Sequence, residues 1–279
     1  MFRIAELKSS LAGTVFAGKL NYAPVTESTN SDALAAARGG APHGSVWIAD
    51  EQTAGRGRGG HKWLSAPGDG LYVSVLLRLS VTAERLLLLP LAAGLAAAQA
   101  IGETTGLAVD IRWPNDLLIG EKKVGGILVE AKNSSKGSPL AAVAGIGINV
   151  HQREFAADLA TPATSLDLAT GRRVSRQALL VALLRALEQE TAALADAESA
   201  KQIPARVEAA SSWLRGRSVE VHGPQACVGT TAGLDENGFL LVETAGGLAT
   251  VQTGGIRERV PQILPLDAGA GPGEPRQKL

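Results

Sequence analysis

The stretch Asp50–Trp63, DEQTAGRGRGGHKW, places two guanidinium groups inside a glycine-rich loop. Arg56 and Arg58 alternate with Gly55, Gly57 and Gly59, so a bendable backbone carries two forks of donors that match carboxylate or phosphate oxygens. Such a loop can close over a ligand that carries carboxylate or phosphate oxygens and then reopen. The competing expectation is an Arg/Gly surface loop that touches only solvent. Gln52, ahead of the loop, offers an amide to a neutral amide or ureido group. Further on, RWPND sets Asn115 and Asp116 just past a strand, where they read either as turn residues or as ribose or Mg²⁺ ligands. Lys123 precedes VGGILVEA, whose paired glycines permit close approach of a ligand or another backbone. Taken alone, that lysine reads as solvated.

Gly55-x-Gly57-x-x-Gly60 also satisfies the pattern of a dinucleotide-binding loop. Its context argues against that use. The third glycine should open a helix whose N-terminus holds pyrophosphate, yet Gly60 is followed by HKWLSAPGDG, with Pro67 and further turn formers. The acidic residue expected about 20 positions on has only Glu84 as a candidate, in a helix start and not at a strand end. The dinucleotide reading is rejected.

The elements that must position these residues alternate up to about Val150 between short β-rich runs and Ala/Leu-rich stretches. STNSDALAAARGG reads as a helix capped by Thr29 with Asp32 and closed by Gly39-Gly40. SVWIADEQ is a strand entering the Gly/Arg loop, and LYVSVLLRL is a second, followed by a helix from about Thr82 to Thr105. VDIRWPND and KKVGGILVEA form a strand pair around a turn at Ile119–Lys122, and AAVAGIGINV is a buried strand ending at Asn149. Val174–Ala195 is a long helix with Leu180, Leu183, Leu184 and Leu187 on one face. Past Trp213, RSVEVH, ACVGTTAGL, FLLVET and ATVQTG are short strands separated by turn signals, an all-β module of SH3-like type.

Bulk composition excludes several classes. The 27 basic and 27 acidic residues of the 279 cancel, so a broad nucleic-acid footprint is not expected. Hydrophobic residues at 45% with 19% charged describe a folded globular chain. A single Cys227 and four scattered histidines suit a reducing compartment and give no zinc spacing. The N-terminus lacks a signal-peptide core, and LLLLPLAAGLAAA is too short for a bilayer span and contains Pro90 and Gly94. The expectation is a soluble, cytoplasmic protein with no membrane association.

In chain order, ESTNSDAL, EQTAGRGRGGHKW, RWPNDLLIGEKKVGGILVE and GIGINV form a specific set. The set resembles the biotin–protein ligases, strongly over about Val25–Val150 and weakly beyond. The resemblance implies an α+β fold: a mixed, largely antiparallel sheet packed by helices, of the class II synthetase-like biotin/lipoate ligase type, with a small C-terminal SH3-like β-barrel. It implies a catalytic biotin/ATP domain over 1–212, the β module over 213–262 and a disordered Gly/Pro-rich tail over 263–279. The implied reaction activates biotin with ATP and Mg²⁺ as biotinyl-5′-AMP and transfers it to a lysine of a biotin carboxyl carrier protein domain. Position by position, Ser28, Thr29 and Asn30 match the biotin-pocket segment, although helix capping reads the same residues equally well. Gln52 matches the residue on the biotin ring system, and Arg56, Gly57 and Arg58 match the covering loop. Lys123, and not Lys122, matches the active-site lysine that neutralises the carboxylate and α-phosphate. Asn115 and Asp116 match residues near nucleotide and metal, and Asn149 one near the adenine. Trp63 walls the pocket or, by default, belongs to the core. TGGIRER, around Gly254 and Gly255, is expected to face the site.

There are departures. Gly59 and His61 stand where many relatives carry further basic residues, and PATSLDL contains no aromatic to stack on adenine. Only 27 residues precede Ser28, which predicts a ligase without a DNA-binding domain. A lipoate–protein ligase and a biotin-responsive transcriptional regulator are the alternatives. A homodimer paired through sheet edges is compatible with the resemblance, though no stretch of sequence marks that edge.

Overall fold

A computed structural model describes residues 2–132 and 140–259. The elements in chain order are α1 (Ile4–Ser10), β1 (Leu20–Thr26), α2 (Thr29–Arg38), β2 (Ser45–Gln52), β3 (Gly70–Leu79), α3 (Ala83–Leu86), α4 (Leu89–Thr105), β4 (Asp110–Arg112), β5 (Asp116–Ile119), β6 (Lys122–Lys132) and β7 (Leu140–Asn149). There follow α5 (Leu166–Thr170), α6 (Arg176–Ala195), α7 (Ala197–Ala200), α8 (Ile203–Ala209), β8 (Arg215–His222), β9 (Cys227–Leu234), β10 (Leu240–Thr244), β11 (Gly247–Val251) and β12 (Gly255–Glu258).

A seven-stranded sheet runs β1-β2-β3-β7-β6-β5-β4, with β1 parallel to β2 and the remaining pairs antiparallel. The α+β, mostly antiparallel expectation holds. One face is apolar: Val73, Val75, Ile127, Ile146 and Ile148 join the core with Leu180, Leu183, Leu184 and Leu187 of α6, all buried. The other face is divided. At one end Leu76 and Val143 are covered by Ala33 of α2 in a small separate cluster, and the rest is left to the loops described below.

Alternation in GIGIN explains that division, because a strand's side chains point to opposite faces in turn. Ile146 and Ile148 enter the core, while Gly145 and Gly147 leave the opposite face bare. Register places Ser74 beside Gly145 and Tyr72 beside Gly147 on one side, and Gly126 beside Gly147 on the other.

Several elements differ from the sequence expectation. The helix expected over 82–105 is broken at Leu87–Leu88 because Pro90 begins a fresh helix at its first turn. Its long second part is sheathed in the core, as Leu89, Ala93, Ala97 and Ile101 show, so its apolar length reflects burial and not a bilayer. VDIRWPND is two strands, since Trp113-Pro114 interrupts the ladder between Arg112 and Asp116. β1, which is not among the strands expected from sequence, carries Pro24, which an edge strand tolerates.

The C-terminal sheet is antiparallel with five strands, ordered β11-β10-β9-β8-β12, the SH3-like module. Its fifth strand, Gly255–Glu258, is four residues long and was hidden among turn signals. The module is fastened to the larger body where the Trp113 indole N–H donates to the Gly238 carbonyl at 3.0 Å and Gly238 abuts Leu88 and Leu91. The tail expected over 263–279 lies outside the described residues.

Candidate active site

α2 begins at Thr29, with Ser28 as an extended N-cap that makes no side-chain cap bond. The capping expectation for Ser28 and Thr29 therefore fails: Asp32 accepts instead from the Thr26 hydroxyl at 2.6 Å. Thr29 turns to the sheet. Its backbone N–H and hydroxyl both donate to Gln52 Oε1, at 2.9 and 3.0 Å, and Gln52 Nε2 donates to Ser65 Oγ at 2.8 Å. Ser74 is wholly buried in the middle of β3, with its Oγ 2.7 Å from Thr29 Oγ1 and 2.5 Å from Asn30 Oδ1. Asn30 Nδ2 donates to Glu130 Oε2 at 2.8 Å. The result is a continuous polar strip of Ser65, Gln52, Thr29, Ser74, Asn30 and Glu130 set on a sheet of hydrocarbon. Buried polar groups persist when each has a partner, and this chain of bonds fixes which way each amide faces.

The Gly/Arg loop is a narrow hairpin. Trp63 N–H donates to Gly55 O at 2.9 Å, Gly57 N–H to His61 O at 2.6 Å, and Arg58–Gly60 form a single 3₁₀ turn at its tip. Its two arginines part company. Arg56 Nη2 lies 2.8 Å from Glu130 Oε2, the atom that also accepts from Asn30. Arg58 reaches across to the C-terminal module, donating to Thr253 Oγ1 at 2.6 Å and to the Gly254 carbonyl. Burial pulls the Arg58 pKa below its usual value, and the Asp116 charge opposes that shift. Of TGGIRER, Thr253 and Gly254 meet the loop through Arg58.

Trp63 is not a core residue in the ordinary sense. Its ring lies on the bare floor: a Cβ on Gly147 would fall 2.7 Å from the indole, and one on Gly126 3.5 Å from it. Its Nε1–H is buried with no partner among the described residues. Lys123 Nζ stands 5.6 Å from the ring centroid and 2.5 Å from Asp116 Oδ1, while Arg112 Nη2 holds the other oxygen, Asp116 Oδ2, at 2.6 Å. Lys122, next in line, is exposed. The main chain of Lys123 is pinned to the PAT segment, with its N–H on Pro162 O at 2.7 Å and its C=O accepting from Thr164 N at 2.9 Å.

Both oxygens of Asp116 are therefore committed to cations. Among the described residues no cluster of three or more His, Cys, Asp or Glu side chains could hold a metal ion. Asp116 is thus the anchor of Lys123 in this structure. Asn115 and Asn149 spend their amide N–H groups on backbone carbonyls, Ile127 O at 2.9 Å and Thr164 O at 3.1 Å. They fix the edges of the site. Sequence reading missed Ser65, Ser74, Arg112 and Glu130. A lone serine inside LYVSVLLRL, where every neighbour is apolar, was the one signal available for Ser74.

Residues 22–149 match the model of the Biotin/lipoate A/B protein ligase family. The chain is 33% identical over 259 residues to the bifunctional ligase/repressor BirA of Bacillus subtilis, covering 90% of this chain and 78% of that protein. It is 34% identical to the biotin–[acetyl-CoA-carboxylase] ligase of Mycobacterium tuberculosis, covering 85% of this chain and 88% of that one. In structure it resembles the biotin protein ligase of Aquifex aeolicus solved in complex with biotin and ATP, with a TM-score of 0.74, 33% identity and coverage of 87% of this chain and 99% of that one. Two curated relatives at this identity, each matched over more than two thirds of its length, leave one assignment: the chain belongs to the biotin protein ligases.

Proposed function

We propose that this site joins biotin to ATP as biotinyl-5′-AMP, releasing pyrophosphate, and then passes the biotinyl group to a lysine of a biotin carboxyl carrier domain. The observation that carries the reading is the cation set around one carboxylate. Lys123 and Arg112 each hold one oxygen of Asp116, with Arg58 close enough to feel its charge, beside a glycine floor and a polar strip. The uncharged amides and hydroxyls of that strip suit an uncharged ureido ring, with Ser28, Thr29, Asn30 and Gln52 as its donors and acceptors. The cations suit the place where two anions must meet.

In the first half-reaction a biotin carboxylate oxygen bonds to the α-phosphorus of ATP and the bond to pyrophosphate breaks. Lys123, held over the Gly126 end of the floor by Asp116, lies where both reacting anions would be neutralised; fixed charge of this kind acts without reorganisation during the step. Trp63 supplies a flat wall for the nucleotide base, and an acceptor atom there would satisfy its unpartnered indole N–H. Asn149 and Asn115 hold the surrounding backbone. Mg²⁺ would enter as the companion of the ATP phosphates, with Asp116 the carboxylate nearest to hand for it. In the second half-reaction the carrier's neutral ε-amine attacks the acyl carbon, the bond to AMP breaks, and the amine gives up a proton. Until then Arg56, Gly57 and Arg58 roof the adenylate against water.

The division of labour follows residues 1–212 and 213–262, with the second part contributing Thr253 and Gly254 to the roof. A half-buried lone Cys227 and a need for ATP agree with a cytoplasmic setting. The test is ATP–pyrophosphate exchange with the full chain, biotin and Mg²⁺, followed by the mass of a carrier domain after incubation. Exchange that requires biotin and a carrier heavier by one biotinyl group support the reading. Exchange with lipoate and none with biotin, or no exchange with either, overturns it.

A further inference from the structure

Arg58 is the tip of the loop, and what holds the tip belongs to the other sheet. Its guanidinium donates through Nη2 to Thr253 Oγ1 at 2.6 Å and through Nη1 to the Gly254 carbonyl. That turn, between β11 and β12, is built to present those two oxygens. Gly254 sits at φ +147, and a Cβ there would fall 2.4 Å from the His222 carbonyl; a Cβ on Gly223 would come within 3.2 Å of Gly254 Cα. The turn thus presses backbone against backbone on the end of β8, which only glycine allows. Gln225 braces the turn further: its Oε1 accepts from Gln252 N at 2.7 Å and Thr253 N at 3.2 Å, and its Nε2 donates to Thr250 O at 3.2 Å. The seat is stiff, whereas the loop that reaches it is glycine-rich and crosses from the other sheet.

We propose that Thr253 is a positioning residue of the ligase. With the Gly254 carbonyl it forms a seat for Arg58, and through that seat the C-terminal module sets how long the loop stays closed over the acyl-adenylate. The inference rests on the ligase reading for its consequence but not for the contact itself. Hydrogen bonds to a charged donor are among the stronger single contacts, and a roof held by two of them opens more often when one is removed. Arg56 does not substitute for the lost contact, because its partner Glu130 belongs to the same sheet as the floor.

The experiment uses the full chain in three forms: wild type, Thr253→Val, which keeps the shape and loses the hydroxyl, and Thr253→Ser, which keeps the hydroxyl. The first measurement needs no substrate. Trypsin must take the Arg58 side chain into its own pocket, so cleavage after Arg58, followed by mass spectrometry, reports release from the seat. Cleavage after exposed Lys201 is the internal reference. Cleavage after Arg58 should rise about five- to tenfold in Thr253→Val and stay within twofold of wild type in Thr253→Ser. The second measurement is dissociation of preformed biotinyl-5′-AMP, expected to quicken about tenfold in Thr253→Val, with KM for biotin and ATP moving less than threefold. Equal proteolysis of wild type and Thr253→Val overturns the seat whatever the protein's activity. Faster proteolysis with an unchanged adenylate off-rate overturns its role in retention. If the wild type forms no adenylate at all, the ligase reading fails with that role, and the proteolysis arm still judges the contact separately.

Discussion

Gly145 and Gly147 lie two residues apart on one strand, and replacing each by alanine should damage a different half of the site. A Cβ at position 145 would lie 2.1 Å from Asn30 Oδ1 and 2.8 Å from its Cγ, where ordinary contact begins at 3.4 Å. β7 is hydrogen-bonded on both sides, to β3 and β6, so it cannot retreat. Asn30 must move by more than an ångström. That shift breaks the 2.5 Å bond from Ser74 and the 2.8 Å bond to Glu130, leaving the fully buried Ser74 hydroxyl with Thr29 alone. Overfilling of a close-packed site and loss of a buried hydrogen bond each cost about 1–3 kcal/mol. Allowing for partial relaxation, about 1.5–3 kcal/mol should appear in biotin binding, roughly 10- to 100-fold in Kd.

At position 147 the obstruction is the Trp63 ring, 2.7 Å from the added carbon. An indole at the base of a glycine hairpin tilts more easily than a buried, bonded amide. Gly147→Ala should therefore raise KM for ATP about three- to tenfold while biotin Kd moves less than threefold. The assay is calorimetric titration with biotin alone, then steady-state adenylate formation at varied ATP. If Gly145→Ala binds biotin within threefold of wild type, or if both substitutions weaken both ligands alike, the division of the floor into a biotin half and a nucleotide half is wrong.

Lys123→Ala leaves Asp116 on Arg112, so the floor should stay intact while adenylate formation slows about 10²- to 10³-fold in single-turnover kinetics, with a much smaller change in biotin Kd. A loss confined to biotin affinity would contradict the role given to its charge. Gly102 lies inside α4, where an added Cβ would meet only the Leu107 carbonyl at 3.6 Å. Gly102→Ala should stabilise by about 0.5–1 kcal/mol, seen as a Tm higher by about 1–4 °C. His43 accepts the Arg78 backbone N–H on Nδ1 at 3.1 Å, and burial, with Lys19 nearby, holds its pKa below 6.5. The folded state thus binds this proton less readily than the unfolded chain. Its contribution is complete above pH 6.5 and lost as pH falls from there through the folded pKa. Urea unfolding from pH 7.5 downward should show the loss, and His43→Asn should flatten it.

Much of the catalytic half was legible because its signals are local. A strand ending in Gln52, a glycine hairpin with two arginines and a strand opening at Lys123 each declare themselves within a few residues. What was illegible depends on register. Nothing near Ser74 says that it faces Asn30, since that meeting follows from β3 and β7 pairing at Ser74 and Gly145. Glu130 looks like an outward residue of an apolar strand until α2 and the hairpin bring Asn30 and Arg56 to one of its oxygens. The capping error has the same origin. Thr29 has the chemistry of an N-cap, and the tertiary partner Gln52 outcompeted the local one.

Arg112 shows why the two sheets must act together. It is almost wholly buried, donates to Asp116 and Thr161, and stacks on Trp213 with its guanidinium carbon 5.1 Å from the ring centroid. Arg217 covers the same ring at 4.1 Å and pairs with Glu121 and Glu258. A tryptophan at the junction of the two sheets is thus held between two arginines, one committed to the site and one to the surface. Around Asp116, Arg112 and Lys123 leave an excess of positive charge even before Arg58 is counted. Like charges brought together away from water repel by several kcal/mol, and the site tolerates them through the carboxylate between them and the aromatic faces of Trp63 and Trp213. An incoming carboxylate and triphosphate would complete the balance. Arg112→Met, which keeps the packing on Trp213 and removes the charge, should free one Asp116 oxygen to draw Lys123 fully onto the acid. The neutralising charge then leaves the reacting atoms: kcat for adenylate formation should fall about tenfold or more while the melting temperature changes little. A variant that melts early and retains wild-type kcat would make Arg112 a structural bolt between the sheets and nothing more.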